Sequence, residues 1–351
     1  MKKEKAIILT NGMLDTMNAK TAHGLLRGSE RFEILAVIDY KFAGRDAGTL
    51  MDGKPIGIPV LGSIQDFVKA DLPKATYCIV GVALEGGLLP DNFRVVLYEA
   101  MEQGLSLVCG LHTLMSEDAE FKKRAAANKV QLIDVRKPKK FSELHFWTGA
   151  IHQVKAPRIA VLGTDCAVGK RTTCRFLMET YQAKGLRAEM IYTGQTGWMQ
   201  GHQYGFILDS TLNDFVSGEL EKAIVDCDKE IQPAIILIEG QSSLRNPSGP
   251  CGAEILLSAA INGVVLQHKA NRIYFDDLPT WGKLPTLAEE ISLIEAYGVP
   301  VLAVTLNGIG MSEQELSDFK AKQQQLLTVP VFCPLLGDME ELAEVVLRSV
   351  V

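Results

Sequence analysis

The sequence predicts an α/β protein with two doubly wound, mostly parallel sheets. Three observations predict it. Short β-rich runs alternate with stretches of helical spacing along nearly the whole chain, the rhythm of parallel strands covered on both faces. The rhythm breaks once, between Arg136 and Pro157, where a charge run (Arg136, Lys137, Lys139, Lys140) and prolines intervene, and then restarts. At 351 residues the chain is long enough for two full cores. The expected division is residues 1–136, a linker or arm over 137–156, and 157–351.

In the first part, strands are expected at 6–10, 33–39, 77–82, 105–109 and 130–134, and helices at 15–26, 63–70 and 92–103. Ligands of such sheets sit past the C-terminal strand ends, which points to Asn11, Gly12, Asp39, Gly81, Leu111, His112 and Thr113. Asp39 ends the second strand, where a dinucleotide fold holds a ribose. Gly12 stands alone, however, and no G-x-G-x-x-G is present. The reading is therefore a Rossmann-like accessory domain that shapes the active site or the oligomer. In the arm, Trp147 and His152 are expected to pack on a neighbouring domain.

In the second part, strands are expected at 158–162, 188–193, 234–238, 264–268, 299–306 and 329–332, with a closing helix at 338–347. The first strand runs into Gly163, Thr164, Asp165, Cys166, Ala167, Val168, Gly169, Lys170, Arg171, Thr172 and Thr173. Apolar residues at helical spacing follow: Cys174, Leu177, Met178 and Tyr181. Strand, glycine-bounded loop, Lys and helix make a phosphate-binding P-loop, in which backbone N–H groups and the helix N-terminus face an anion and Lys170 adds a point charge. The plainer alternative is a glycine-rich βα turn without a ligand. The common pattern has four residues between its glycines; here there are five. Arg171 stands where a Ser or Thr usually offers a hydroxyl to Mg²⁺, and Thr172 comes one position late. This half is accordingly read as a P-loop NTPase-like domain.

Composition excludes several classes. A net charge of −6 gives no basic field for nucleic acid, and no apolar run reaches membrane-spanning length. The first residues, Met1 to Lys5, do not read as a signal peptide. Seven cysteines without a C-x-x-C pair suit a cytoplasmic protein. Cys78, Cys109 and Cys333 read as buried thiols, whereas Cys166 and Cys251 lie in loops where a reactive thiol is the alternative. A small-molecule substrate and a homo-oligomer are expected, with no nucleic-acid or membrane partner.

Three further loops should converge with the phosphate loop. After the second strand come Thr193, Gly194, Gln195, Thr196 and Gly197, where the glycines let backbone approach a ligand and Gln195 and Thr196 hydrogen-bond it. After the third come Glu239, Gly240, Gln241, Ser242 and Ser243. Glu239 closes an apolar strand, a position for holding Mg²⁺ or its water, for a general base raised by burial, or for a plain ion pair. The fourth loop offers Asn307, a side-chain amide for a purine base. His268 ends a strand and either touches substrate or sits at the surface. Arg245 and Lys269 are cations suited to a carboxylate. Asp214 reads as the N-cap of a helix ending near Cys227, with Asp209 close by. A helix starting at Cys251 would offer a second anion site.

The loop Gly163, Thr164, Asp165, Val168, Gly169, Lys170 resembles that of dethiobiotin synthetase and its P-loop relatives. Together with Gln195 to Trp198, Asn213 to Val216, Gly218-Glu219 and Glu239 to Gln241, it resembles a long-unassigned bacterial family that couples a Rossmann-like domain to a P-loop domain. That family is associated with D-glutamate N-acetyltransferase activity (the DgcN type). The resemblance covers nearly the whole chain. It implies acetyl transfer from acetyl-CoA to an amino acid amine, with the P-loop on the CoA phosphates. Glu239 would then be the base, Lys170 a catalytic cation, and Gln195, Thr196, Gln241, Ser242, Arg245 and His268 would line the substrate. Arg171 would neutralise phosphate without a metal. The alternatives are an ATP- and Mg²⁺-dependent kinase or ligase of the dethiobiotin-synthetase type and a non-catalytic nucleotide sensor.

Overall fold

The computed structural model describes residues 2–350. The chain forms two compact units. One comprises the residues up to Pro138 together with Gln195–His202; the other comprises Lys139–Gly194 and everything from Gln203 onward.

The first unit is a six-stranded, all-parallel sheet of β1 (Glu4–Leu9), β2 (Phe32–Ile38), β3 (Val60–Leu61), β4 (Tyr77–Val80), β5 (Ser106–Cys109) and β6 (Leu132–Asp134). Its order is β3-β2-β1-β4-β5-β6, the Rossmann order. Side chains alternate along a strand, so β1 feeds two cores. Ile7 and Leu9 pack with Phe93, Leu97 and Phe121 on one face, and Ala6 and Ile8 with Ala22, Leu25 and Met199 on the other. Helices Lys20–Leu26, Ile64–Lys69 and Asp91–Glu102 lie in the expected stretches, and Ala47–Asp52 and Ala119–Asn128 are additional.

Asp39, at the end of the second strand, is engaged by the protein itself. Its carboxylate is buried and accepts from the Thr10 hydroxyl (2.6 Å) and the N–H groups of Gly12 (2.9 Å), Leu14 (3.1 Å) and Lys41 (3.1 Å). Asp39 therefore pins the turn after β1 and has little capacity left for a sugar. The Tyr40 ring lies where a Cβ on Gly12 would stand.

The second unit is also a six-stranded parallel sheet: β7 (Arg158–Gly163), β8 (Ala188–Ile191), β9 (Ile235–Glu239), β10 (Gly263–Lys269), β11 (Val301–Asn307) and β12 (Val331–Phe332), ordered β12-β11-β10-β7-β9-β8. β7 is central and buried throughout, so the loop it feeds lies at the middle of the sheet edge. Helix Lys170–Ala183 buries Cys174, Leu177, Met178 and Tyr181, and the Tyr181 hydroxyl donates to the Ala343 carbonyl of the last helix, Met339–Arg348 (2.9 Å).

Three local expectations change. The segment after β8 is a helix, Gln195–Gln200, not an open loop; Met199 is buried in the first unit and Gln200 donates to the Gly24 carbonyl there (2.8 Å). Asp214 is not an N-cap: it lies in the first turn of helix Asn213–Ile231, and Leu212 occupies the cap position without a side-chain bond. The helix expected from Cys251 is one short segment, Ala253–Ser258, and Glu254 in its first turn already accepts from the Gly252 N–H (3.2 Å). That carboxylate makes a second anion site there unfavourable.

Candidate active site at the phosphate loop

The loop from Gly163 to Gly169 leaves β7 and enters helix Lys170–Ala183 through Gly169, whose φ of 115° excludes a side chain without strain. Two flanking strands set its frame. Gln267 of β10 accepts the Thr164 N–H through its carbonyl (3.1 Å). The Gln267 side-chain oxygen accepts the hydroxyls of Thr173 and Thr305, tying helix, loop and β11 together. On the other side Val161 of β7 pairs with Glu239 of β9, which sets Glu239 beside the start of the loop.

Lys170 is buried, and its ammonium donates to the carbonyls of Asp165 (2.7 Å) and Ser242 (2.6 Å). Ser242 has a left-handed φ of 36°, a costly conformation that directs its carbonyl to Lys170. Asn307 donates to the Val168 carbonyl (2.9 Å), so here its amide braces the loop. The early N–H groups of a helix have no intrahelical acceptors, and beside Lys170 and Arg171 they form a cradle suited to a polyphosphate.

Asp165 is the centre of a buried latch. Its carboxylate accepts from the Asn246 amide, the Arg272 guanidinium and the Asp276 N–H, each at 2.7 Å. Arg272 also donates to the Cys166 carbonyl (2.7 Å) and to Asp277 (3.1 Å). Sequence reasoning missed Arg272, Asn246 and Gln267. Arg272 follows a strand end in a polar stretch, but nothing local announces a partner 107 residues away. Asp165, Cys166 and Asp276 bring ligand-type atoms within 4.8 Å of one another. Both Asp165 oxygens already accept N–H donors, so this carboxylate is poorly prepared to hold a cation.

Glu239 is buried. Its carboxylate accepts the Thr193 N–H (3.2 Å), while its carbonyl accepts the Thr193 hydroxyl (2.7 Å). Burial pushes its carboxyl above the usual glutamate range, against the opposing pull of the Arg171 and Lys170 charges and the Thr193 and Gly194 N–H groups. Gln241 donates to the Thr193 hydroxyl (2.9 Å), which places its amide next to Glu239. Gly240 has no room for a Cβ, which would meet the Val161 carbonyl.

His268 is buried, not at the surface. Its Nδ1 bonds the Thr164 hydroxyl (2.9 Å) and its ring stacks on Phe319. Burial and the Arg272 charge lower it to about 4, so the ring is neutral at physiological pH. Arg245 pairs with the buried Glu290 (2.8 Å), which neutralises the charge expected to meet a carboxylate; Lys269 lies 3.5 Å from Asp277. Gln195 and Thr196 begin the helix Gln195–Gln200, which belongs to the first unit, whereas the phosphate loop belongs to the second. The Cys251 thiol is raised by burial and by Glu254, which makes it a poor nucleophile.

Fold and site define a two-domain α/β protein with a Rossmann-like sheet and a P-loop sheet. The chain belongs to the DUF1611 family: residues 145–343 match the family's P-loop domain and residues 40–138 its Rossmann-like N-terminal domain, both described as domains of unknown function. It is similar to a protein from a Pseudoalteromonas species named D-glutamate N-acetyltransferase, 26% identical over 264 residues, 73% of this chain and 77% of that one. A Tritonibacter scottomollicae protein of the same name is 27% identical over 263 residues, 73% of this chain and 76% of its own. The crystal structure of a DUF1611 family protein from Anabaena variabilis is 28% identical, covers 99% of both chains and has a TM-score of 0.88. Among the described residues, no helix is long and apolar enough to cross a membrane.

Proposed function

We propose that this protein is an N-acetyltransferase that moves an acetyl group from acetyl-CoA to the amine of an amino acid, D-glutamate being the first candidate. The two relatives so named support the reaction class. The observation that carries the reading is Glu239: a buried carboxylate with a raised proton affinity, beside a phosphate loop that holds Lys170 and Arg171.

The residues suit a CoA diphosphate. Lys170, Arg171 and the first N–H groups of helix Lys170–Ala183 would hold it, and CoA supplies the activated acyl carbon. Glu239 takes the proton that the substrate ammonium must lose before its nitrogen can attack. The Gly240 N–H is spent on the Val161 carbonyl (3.1 Å), so the N–H groups of Gln241 and Ser242 are the candidate donors to the developing oxyanion. Of the residues a metal would use, Glu239 and Thr172 keep that capacity, whereas three neighbours do not offer it. Arg171 replaces the usual hydroxyl, the Thr173 hydroxyl donates to Gln267, and Asp165 is latched by Arg272.

Two incubations test the reading: acetyl-CoA with D-glutamate, following free thiol, and ATP with Mg²⁺, following ADP. Free CoA that appears only with the amino acid and persists in EDTA is the expected result. ADP formation without thiol release would replace it with the ATP-dependent reading.

A further inference from the structure

The segment between β6 and β7 lies as a strap over helix Asn213–Ile231, and two buried glutamates of that helix hold it down. Glu219 accepts from the His145 N–H and ring (both 2.9 Å) and from the Lys139 ammonium. Glu221 accepts from the Thr148 N–H (2.7 Å), the Thr148 hydroxyl (2.8 Å) and the Ile151 N–H (3.1 Å). The strap passes so close at Gly218 that a Cβ there would collide with the His145 carbonyl.

A segment fixed this firmly presents apolar side chains outward: Phe141 is 72% exposed, Phe146 67% and Trp147 37%. Outside the strap, Leu212 is 53% and Leu257 66% exposed. They form one surface. The rings of Phe141 and Phe146 both pack edge-on against Phe215, at 5.1 and 6.2 Å between centroids. Leu212 is one turn before Phe215, whose N–H donates to its carbonyl. The Trp147 indole donates to the Ser258 carbonyl (3.2 Å), next to Leu257, and Ser258 is bonded to Ser217 of the long helix (2.8 Å).

We propose that this aromatic face is the interface with a second copy of this chain, related by a two-fold axis. Area supports that occupant: side chains of this size at these exposures present on the order of 600 Å². Two facing copies thus remove about 1,200 Å², the lower bound of a stable interface, before any flanking contact is counted. A lone protein seldom leaves so large an apolar patch in water. Charge supports it too. The rim carries an exposed cation, Lys140, and exposed anions, Glu143 and Asp214, so a two-fold arrangement can set opposite signs against each other without any other partner.

The test is the mass of the full-length protein in solution by light scattering and sedimentation, from about 1 to 100 μM, a range that brackets typical weak and stable dimers. The wild type should be a dimer. Phe146→Lys with Phe141→Asp should raise the dimer dissociation constant at least about 100-fold, as expected for central aromatic anchors. Near-UV circular dichroism and the thermal transition of the monomer should be retained. Leu257→Lys, on a separate helix of the same face, should weaken the dimer in the same direction, and it serves as the independent reading if the strap variant misfolds. A wild type that stays monomeric throughout overturns the proposal, as does a dimer that survives both sets of substitutions.

Discussion

Glu239 is pulled in opposite directions by stability and by chemistry. Burial raises its proton affinity, so the fold favours the neutral carboxyl. The stability this group contributes is full below the ordinary glutamate range and is lost as pH rises through its raised value. A base must be unprotonated, so the form that works is the form the fold disfavours. Glu239→Gln is therefore expected to raise the thermal midpoint at neutral pH while lowering kcat by about 100-fold or more, the usual range for losing a general base. The wild-type rate should fall as pH drops below the raised value, and the variant should lose that limb. A Gln variant with near wild-type kcat across pH would make Glu239 structural. Lys170 differs, because it is buried between two carbonyls and so stabilises the loop as well as meeting phosphate. Lys170→Ala should weaken CoA binding about 10- to 100-fold, the worth of a charge-assisted hydrogen bond, in calorimetry. It should also lower the thermal midpoint, because the Asp165 and Ser242 carbonyls lose their donor.

At the scale of elements, Gly218 sets two magnitudes against each other. Ala is the better helix former by about 1 kcal/mol, which favours Gly218→Ala in isolation. Against it stands a clash with a backbone carbonyl that Glu219 and Glu221 hold in place, and overpacking of this kind costs about 1–3 kcal/mol. The clash should win, with a net loss of stability in denaturant titration; a neutral or stabilising result would mean that the strap gives way freely. The two glutamates add a pH dependence. Burial opposes their charged forms, but the Lys139 and His145 donors for Glu219, and Thr148 and Ile151 for Glu221, hold both carboxyls below the usual range. Their contribution is present above that range and is lost as pH falls through the lowered values. Elements of this kind differ in how legible they are. Most strands of the second sheet could be read within a few residues because β7, β9 and much of β10 and β11 are buried apolar runs. β3, of two residues, carries no pattern, and helix Ala119–Asn128 was missed although Asp118 caps it through the Glu120 and Phe121 N–H groups. The phosphate loop was legible because strand, glycines and Lys170 are contiguous. Its latch was not, because Asn246 and Arg272 reach Asp165 only through the tertiary fold.

At the scale of the whole molecule, the chain crosses from the second sheet to the first and back. Thr193 and Gly194 leave β8, Gln195–Gln200 folds into the first unit, and the chain returns from Gln203. Periodicity could not show this, since Gly197 and the polar Gln195, Thr196 and Gln200 read locally as a loop. What orders them is distant: the Ser29 hydroxyl donates to the Met199 carbonyl (3.0 Å), and the Arg31 guanidinium lies over the Trp198 ring at 4.1 Å and donates to the Trp198 carbonyl (2.9 Å). Met199 is fully buried with Ala22, Leu25, Phe32 and Val37, so the first sheet is incomplete without a helix encoded in the second half. Met199→Ala removes most of a buried side chain and should cost about 2–5 kcal/mol, less if the helix settles into the cavity. The location of the loss is the sharper readout. Hydrogen exchange should speed up in β1, β2 and helix Lys20–Leu26, which pack on Met199, while β7, β9 and β10 keep their protection. Faster exchange confined to the strands around the phosphate loop would instead assign Gln195–Gln200 energetically to the second sheet.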